Sequence, residues 1–351
     1  MIVMNKVLSY FIIFFSVVAL VLAWLVFTSG TDFKEDKKYL YVHTGKVDRT
    51  EIMNYVRENN LVKFPWLFDK FAAELDVWKR LKPGKFEIKN GESLLNISRK
   101  LRNNQQSPVK LIITKLRTNE DLARLISKYF EADSTEVMNY IDNPDSLKLL
   151  GVDKNNFMTI IIPNTYKMYW NNKLGKLFRR LKTEKDNFWE KNNRLEKAGN
   201  LGFSPMQIYT IASIVEEETN KNDEKGMVAS VYINRYRIGM PLGADPTIKF
   251  ALKDFSLKRI YQKHLEVESP YNTYKNVGLP PGPICTPSHT TIDAVLDAPS
   301  TDYKFFVAKS DFSGYHTFSN NYAEHLQHAK EYQTALDQLL LQKQNESKDS
   351  L

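Results

Sequence analysis

The start of the chain carries the feature that most constrains how this protein can fold. Residues 7–27 read VLSYFIIFFSVVALVLAWLVF and contain no charged side chain. A helix of about 20 apolar residues is long enough to cross the hydrocarbon layer of a bilayer. A cleavable signal peptide has a shorter apolar core and a small-x-small cleavage site, and neither description fits this run. The sequence therefore predicts an uncleaved transmembrane anchor over 7–28, followed by a polar linker over 29–38.

The rest of the composition is that of a globular protein, and it excludes several classes of function. Hydrophobic residues make up 42% and charged residues 26% of the 351 positions, and this length suits about two domains. Cys285 is the single cysteine, so the chain has no internal disulfide and no cysteine cluster for a metal. The formal charge of +8 is spread over mixed faces and forms no basic stripe. We expect no nucleic-acid partner, no metal and no other cofactor.

Residues 39–108 predict a small module of strands and helices. The segment YLYVHT, from Tyr39, has strand character, and a helix follows it with Thr50 as a possible N-cap. A turn at 82–84 precedes a second strand over 85–89. The helix after that strand places three apolar residues on one face: Leu94, Ile97 and Leu101. The order strand, helix, strand, helix indicates an α+β module.

A second and mainly helical α+β domain is predicted over 109–345. The Asn/Gln-rich segment 103–107 marks the boundary before it, and a strand from Val109 leads into the first of its helices. Residues 173–200 predict a surface helix that packs by one apolar stripe, and residues 322–344 predict a final amphipathic helix. A short polar tail, 346–351, ends the chain.

The clearest local signal is the start of a helix at Ser204. Ser204-Pro205-Met206-Gln207 is a capping box with proline at the first helical position, and IYTIASIVEEETN continues the helix. At 100° per residue, Glu218 falls on one stripe with three apolar residues, Ile211, Ile214 and Val215. The two acidic neighbours of Glu218 point elsewhere and are expected to reach solvent.

This position of Glu218 has a chemical consequence. Burial disfavours the ionised form of a carboxyl group, and the negative end of a helix dipole does the same, so the pKa of Glu218 is expected to be raised. A carboxylic acid that stays protonated near neutral pH can donate a proton to a leaving oxygen, as glycosidic bond cleavage requires. The alternative is a solvated acidic face at the end of an ordinary helix.

Four segments of the second domain resemble successive motifs of one known family. They read ASIVEEET, VASVYINRYRIGMPLGADPTI, SPYNTYKNVGLPPGPICTP and TDYKFFVAKSDFSGYHTFS. The chain resembles the YceG-like family of endolytic murein transglycosylases, in which an anchor, a LysM-like module and a catalytic domain occur in this order. The resemblance implies a LysM-like module over 39–108, a YceG-like catalytic domain over 109–345, and Glu218 as the catalytic residue.

The resemblance also implies a reaction and a location. It implies a lyase that cleaves the β-1,4 bond between MurNAc and GlcNAc within peptidoglycan strands and leaves a 1,6-anhydro-MurNAc end, which terminates strand growth. One carboxyl group acts as acid and then as base, with no second carboxylate and no metal. Residues 1–6 are then cytoplasmic, the catalytic domain lies outside the cytoplasmic (inner) membrane, and peptidoglycan synthases are expected partners. The charges that flank 7–28 orient the anchor only weakly.

Further family motifs supply candidate substrate-binding residues, each with a structural alternative. Asp245 either lies near the cleft or acts as the N-cap of a helix that begins at Pro246. Asn272, Thr273 and Tyr274 lie in a polar, rigid loop suited to hydrogen bonds with sugars and stacking on them, or they simply form turns. His316, within GYHTF, either touches substrate or is a structural histidine with its hydrogen bonds satisfied.

Three departures from the family pattern affect the predicted site. Tyr166 and Asn164 match a P-D-T-Y/W motif and are candidate substrate-binding residues, but asparagine replaces the usual aspartate and can only form hydrogen bonds. Residues 114–117 replace a Glu-Gly pair, and Gly243 replaces a commoner glutamine. Substrate fit is expected to differ, whereas the chemistry is expected to survive.

Two other functions stay open at this stage. A muramidase would hydrolyse the same bond and leave a reducing MurNAc end, with Asp245 as the second carboxylate. A non-catalytic scaffold would bind glycan through the LysM-like module and would tolerate Glu218→Gln. The mass of the released products separates lyase from hydrolase, because hydrolysis adds one water.

Overall fold

The structure is a computed structural model that describes residues 9–18, 24 and 28–349, with side chains described up to residue 342. The anchor predicted over 7–28 lies largely outside these residues. Within the described part of the chain, no helix combines the length and the apolarity that a membrane crossing needs. The anchor is therefore not supported by the described residues and stays a prediction.

The chain forms two compact units. Among the described residues, the first unit contains those up to 111 together with 127–133 and 167–173, and the second contains the remainder. The main elements of the first unit are, in chain order, β1 (Lys37–Val42), α1 (Arg49–Glu58), α2 (Pro65–Glu74), α3 (Val77–Arg80), β2 (Gly84–Lys89) and α4 (Leu94–Arg102).

The first unit is built on one antiparallel pair of strands. β1 and β2 pair from Lys37 opposite Lys89 to Val42 opposite Gly84. Their inward side chains and the helices of the unit enclose one apolar core. The predicted face of α4 is confirmed, because its three apolar residues are at most 1% exposed: Leu94, Ile97 and Leu101.

Two details of the predicted module are wrong. The N-cap of α1 is Asp48 and not Thr50, because the Asp48 carboxylate accepts a hydrogen bond from the backbone N–H of Glu51 at 3.0 Å. Three helices, not one, separate the two strands, and the second of them begins at Pro65. Proline suits the first turn of a helix, where its missing N–H has no intrahelical partner to lose.

Three elements carry the chain from one unit to the other, and twelve further helices and strands build the second unit. The three are β3 (Val109–Ile112), α5 (Asn119–Tyr129) and β4 (Thr165–Met168). The others are α6 (Ser134–Asp142), α7 (Pro144–Leu150), α8 (Leu174–Glu190), α9 (Arg194–Leu201), α10 (Pro205–Glu218), α11 (Lys225–Arg237), α12 (Asp245–Leu252), α13 (Gln262–Leu265), α14 (His289–Leu296), β5 (Phe305–Ala308), β6 (His316–Ser319) and α15 (Tyr322–Asp349). A short 3₁₀ helix spans Phe157–Ile160.

Helix α10 lies at the centre of the second unit. The predicted capping box is confirmed, since the Ser204 hydroxyl accepts from the Gln207 N–H at 3.3 Å and the Gln207 side chain accepts from the Ser204 N–H at 2.9 Å. The helix packs against α11, α12 and α14. Its buried surface extends beyond the predicted stripe, because Tyr209 and Ala212 are also at most 1% exposed. The helix is therefore held on several sides, which fixes where its last turn points.

The other predicted helices of this domain are also present. The segment 173–200, predicted as one helix, instead forms two, α8 and α9. Leu177, Phe178 and Leu181 of α8 are fully buried, as the predicted stripe requires. Helix α15 begins at Tyr322, as predicted, and continues to Asp349. Strands β5 and β6 pair antiparallel. The chain is thus a mixed α+β protein, as predicted.

Candidate active site

Glu216, Glu217 and Glu218 occupy the last turn of α10. Glu216 is held by an ion pair and by hydrogen bonds from two hydroxyl groups. The Glu216 carboxylate lies 3.2 Å from the Lys225 ammonium and accepts a hydrogen bond from the Ser288 hydroxyl at 3.1 Å. The Thr291 hydroxyl donates to the same oxygen. Since the side chains of Glu216 and Lys225 are only 15% and 6% exposed, this is a shielded ion pair. The expectation that Glu216 reaches solvent is wrong.

Glu217 is held by two cations from the segment that follows β3. Its carboxylate lies 3.0 Å from the Lys115 ammonium and 2.9 Å from the Arg117 guanidinium. Burial alone would raise the pKa of Glu217, but hydrogen bonds from Arg117 and Lys115 outweigh burial and lower it. The expectation that Glu217 reaches solvent is wrong as well, because its side chain is 14% exposed and paired.

Glu218, the last residue of α10, has a different environment. Its Oε2 atom is buried and has no hydrogen-bond partner among the described residues. Burial, and after it the negative charge of Asp245, raise the pKa of Glu218 to about 8. The charges of Lys249 and Arg235 and a hydrogen bond from Tyr232 act in the opposite direction and are outweighed. Glu218 is therefore the member of the triplet that keeps its proton at neutral pH.

Asp245 is the first residue of α12, and its negative charge raises the pKa of Glu218. The N-cap of this helix is Ala244, so the prediction that Asp245 caps it is wrong. Its Oδ1 atom instead accepts a hydrogen bond from the Tyr274 hydroxyl at 2.5 Å. Burial and this hydrogen bond raise the pKa of Tyr274, which therefore stays a donor. The pair brings two of the predicted site residues together beside Glu218.

Asn272 and Thr273 precede Tyr274 in the chain and are 0% and 1% exposed. The Asn272 amide donates to the carbonyl oxygens of Leu265 and Val267, and its oxygen accepts from the Tyr274 N–H at 3.0 Å. The Thr273 hydroxyl accepts from the Ala244 N–H at 3.0 Å. These contacts use the polar atoms of both side chains inside the loop. These contacts favour the structural alternative, in which both residues position Tyr274 and Asp245, and direct substrate binding by Asn272 and Thr273 stays a prediction.

Arg235 and Tyr232 complete the surroundings of Glu218, and sequence reasoning did not single them out. Tyr232 is 1% exposed and is one of the largest fully buried side chains. The Arg235 guanidinium donates to the carbonyl oxygens of Lys304 at 2.6 Å and Leu242 at 2.5 Å. Their spacing of three residues puts both on one face of α11. That spacing was the available signal, but it does not identify the helix that the face meets.

Asn164 and Tyr166 lie elsewhere in the second unit. Tyr166 is 6% exposed, and its hydroxyl donates to the Ile162 carbonyl at 2.5 Å. Asn164 is exposed and lines a groove of about 350 Å³ together with Lys115, Glu216 and other residues. Because Glu216 and Glu218 are two residues apart on a helix, their side chains point about 200° apart. The structure therefore associates Asn164 with the Glu216 side of α10.

His316 is held by a buried carboxylate. Its Nδ1 atom lies 2.8 Å from Glu224, and its backbone N–H donates to the same carboxylate at 2.6 Å. Glu224 is 5% exposed, and the His316 ring meets Phe306 edge-on. These contacts favour the structural alternative for His316. Across the described residues, no group of three or more His, Cys, Asp or Glu side chains is arranged to hold a metal ion.

The fold and this geometry define a class of site. A single shielded carboxyl group with a raised pKa, at the end of a rigid helix, is the arrangement of a general acid and base. The family model described as "YceG-like family" matches residues 40–331. The chain therefore belongs to the YceG-like family, and the resemblance found in its motifs is confirmed.

Comparison with individual proteins agrees with this assignment. An endolytic murein transglycosylase of Bacillus subtilis (strain 168) is 40% identical over 129 residues, which cover 37% of this chain and 35% of that protein. Another, from Streptococcus pneumoniae serotype 2 (strain D39 / NCTC 7466), is 34% identical over 130 residues, covering 36% and 23%. The matched part of the chain thus spans only about a third or less of these curated relatives.

A solved structure supports the fold over a longer stretch. The crystal structure of a yceG-like protein from Listeria monocytogenes superposes with a TM-score of 0.55 and 25% sequence identity. The match covers 84% of this chain and 99% of that one. The likeness therefore extends well beyond the motifs around Glu218.

Proposed function

We propose that this protein is an endolytic lytic transglycosylase that cleaves the MurNAc–GlcNAc β-1,4 bond of peptidoglycan, with Glu218 as its acid and base. The observation that carries the proposal is the shielded Glu218 carboxyl, whose pKa is raised to about 8 by burial and by Asp245. Membership of the YceG-like family and two relatives named endolytic murein transglycosylase support it.

The proposed reaction uses the same carboxyl group twice. Protonated Glu218 donates its proton to the oxygen between MurNAc and GlcNAc, and the bond from that oxygen to C1 of MurNAc breaks. The C6 hydroxyl of the same MurNAc then attacks the positive C1 centre, and the Glu218 carboxylate accepts the hydroxyl proton. The products are a free GlcNAc hydroxyl and a 1,6-anhydro-MurNAc end, and no water is consumed.

The surroundings of Glu218 suit both steps. The shielded carboxyl starts in the protonated state that the first step requires. In the proposed reaction the negative charge of Asp245, fixed by the Tyr274 hydroxyl, stabilises the developing positive charge at C1. The glutamates at 216 and 217 are bound to their own cations, so neither competes for the role of proton donor.

The pH dependence of cleavage follows from the pKa of Glu218. The donor must be protonated, so the rate is expected to be level up to a pH of about 8 and to fall about tenfold per pH unit above it. Initial rates of 1,6-anhydro end formation on purified glycan strands measure this limb. An alkaline limb with its midpoint near the ordinary pKa of a glutamate would contradict the assignment.

The variant Asp245→Asn is the companion measurement for this pH profile. It removes the negative charge that raises the pKa of Glu218, so the alkaline limb is expected to move to lower pH. The Thr273 hydroxyl keeps its hydrogen bonds with the Ala244 N–H and the Thr247 hydroxyl in this variant, so the loop should keep its shape. A limb that stays in place would mean that Asp245 does not act on Glu218.

A hydrolytic muramidase is the second candidate, and the position of Asp245 beside Glu218 favours it. Hydrolysis by two carboxylates would use Asp245 as nucleophile or as base toward water. The products decide between the two functions, because a muramidase leaves a reducing MurNAc end that is heavier by one water. Mass spectrometry of digested peptidoglycan therefore tests the proposed function directly.

The location of the enzyme is a further part of the proposal. The apolar run over 7–28 anchors the chain once in the cytoplasmic membrane, with residues 1–6 inside and the catalytic domain over 109–345 outside. The segment 39–108 acts as a LysM-like module that binds glycan, and peptidoglycan synthases supply the nascent strands. Protease added to cells stripped of their wall is expected to degrade the catalytic domain. Protection of that domain in intact spheroplasts would exclude this topology.

A further inference from the structure

A second cavity of the second unit lies away from the groups that surround Glu218. It has a volume of about 210 Å³, and its lining includes Asn164, Glu184, Asn187, Phe188, Lys191 and His289. None of the residues that shift the pKa of Glu218 lines it. Its chemistry therefore needs an explanation of its own.

One wall of this cavity is rigid. Arg194 is 6% exposed and binds both carboxylate oxygens of Asp293, at 2.6 and 2.9 Å. The guanidinium carbon also lies 3.9 Å from the centre of the Phe188 ring, and an arginine N–H donates to the Phe188 carbonyl at 2.9 Å. The aromatic ring is therefore fixed before any ligand arrives, which lowers the entropic cost of binding.

His289 presents an unpaired polar atom in the same place. Its ring lies 4.8 Å from the Phe188 ring, and its Nε2 atom is buried without a hydrogen-bond partner among the described residues. Burial and the nearby charge of Arg194 lower the pKa of His289, so the imidazole is neutral at neutral pH. A neutral imidazole can exchange one hydrogen bond with a hydroxyl or amide group. Leaving a buried polar atom unpaired is costly, and such a ligand removes that cost.

The remaining lining groups exclude a simple ion as the ligand. Glu184 and Lys191 bring opposite charges to the cavity, while Asn164 and Asn187 supply amide donors and acceptors. Mixed charges beside a flat aromatic ring and several amides suit a neutral ligand with hydroxyl and amide groups and one apolar face. The volume is below the roughly 300 Å³ at which pockets for drug-sized ligands begin. It therefore suits one sugar ring.

We propose that this cavity binds one N-acetylated amino-sugar ring of the glycan strand, at a distance from the rings that Glu218 cleaves. The proposal rests on the proposed function, because it takes the substrate of that function as the ligand. A second binding site for the glycan strand favours cleavage of long strands over short fragments, because only a long strand can occupy both sites at once.

The test uses the full-length Glu218→Gln protein in detergent and the tetramer of N-acetylglucosamine as the probe. Addition of the tetramer is expected to shift the imidazole NMR signals of His289. The double variant Asn187→Ala/Lys191→Ala, at two exposed positions, is expected to weaken this binding roughly tenfold, because two hydrogen-bonding groups are lost. Lys176→Ala is the control, since Lys176 is exposed on α8, the helix that carries Asn187, and does not line the cavity.

A kinetic experiment supplies the second readout. With Glu218 restored, the double variant is expected to raise KM for long glycan strands about tenfold while kcat stays unchanged, as loss of uniform binding does. Unmoved His289 signals together with an unchanged KM would overturn the cavity proposal and leave the assignment of Glu218 intact. Sugar-dependent His289 shifts in a protein that releases no 1,6-anhydro ends would support the cavity and count against the proposed reaction.

Discussion

Replacing Glu218 by glutamine is expected to lower the rate of glycan cleavage by about a thousandfold, within the range that a positioned acid and base contributes. Glutamine keeps the size of the side chain, but it can neither donate the first proton nor accept the second. The measurement is the yield of 1,6-anhydro-MurNAc ends from purified sacculi at equal enzyme concentrations. A variant that retains most of its activity would remove Glu218 from the mechanism.

The stability of the same variant is the control against misfolding. Folded Glu218, with its pKa raised to about 8, keeps a proton that the unfolded chain releases above an ordinary glutamate pKa of about 4.3. Between these two values the unfolded state binds fewer protons, so the wild-type free energy of unfolding falls as pH rises. Glutamine does not titrate. The variant is therefore expected to be at least as stable as wild type at neutral pH in urea unfolding.

The neighbouring glutamate provides the matched substitution. Glu217→Gln changes the same charge one residue earlier in the same turn, but Glu217 is held by Lys115 and Arg117 and has no shielded proton to donate. Most of the cleavage activity should survive this change. We call residues 216–218 the acidic turn. Equal losses of activity in the Glu217 and Glu218 variants would indicate that the acidic turn acts through its structure and not through one proton donor.

The sequence predicts the helix that carries Glu218 because its signals are local. A capping box, a proline at the first position and a periodic apolar pattern all lie within 14 residues of one another. Residue numbering along the helix then gives the direction of Glu218 without any tertiary information. The same reasoning found the α4 face in the first unit and the buried stripe of α8.

The partners of the acidic turn could not be predicted in the same way. Arg117 lies 100 residues before Glu217 in the chain, and Ser288 lies 72 residues after Glu216. No periodic pattern links such positions, so an ordinary solvated surface was the simplest expectation for both glutamates. The fold places cations and hydroxyl groups beside them, and only the tertiary structure shows it.

The loop around Tyr274 illustrates a related difficulty. From sequence, the three polar residues Asn272, Thr273 and Tyr274 are equal candidates for substrate binding. In the structure Asn272 and Thr273 are buried and form hydrogen bonds with neighbouring residues of the protein. Tyr274 is 37% exposed, and its hydroxyl donates a hydrogen bond to Asp245. Composition identifies a polar loop, but it does not tell which of its side chains face inward.

The three chemically identical side chains of the acidic turn therefore have different roles. Glu216 and Glu217 are compensated by cations, which lets three carboxyl groups share the end of one helix despite the unfavourable dipole there. Glu218 has no ion-pair partner among the described residues, and burial keeps it protonated. If this division holds, disturbing the ion pair of Glu216 should damage the fold more than the proton chemistry.

Lys225→Met is accordingly expected to lower the free energy of unfolding by about 3–5 kcal/mol, since it leaves the Glu216 charge shielded without its cation. The Lys225 ammonium also donates to the Thr291 hydroxyl at 2.7 Å, so the substitution breaks a contact with α14 as well. Urea unfolding of both proteins at one pH measures the difference. The double variant Glu216→Gln/Lys225→Met should recover much of the loss, because neither charge then remains buried.

A surface ion pair on α8 provides the comparison for this effect. Lys182 lies 2.7 Å from Asp186, with the two side chains 34% and 40% exposed. Lys182→Met should cost at most about 0.5 kcal/mol, because water and salt already screen an exposed i,i+4 pair. Similar losses for Lys182→Met and Lys225→Met would mean that the Glu216 pair is as well solvated as a surface pair. In that case pairing with a cation could not be the property that separates Glu216 from Glu218.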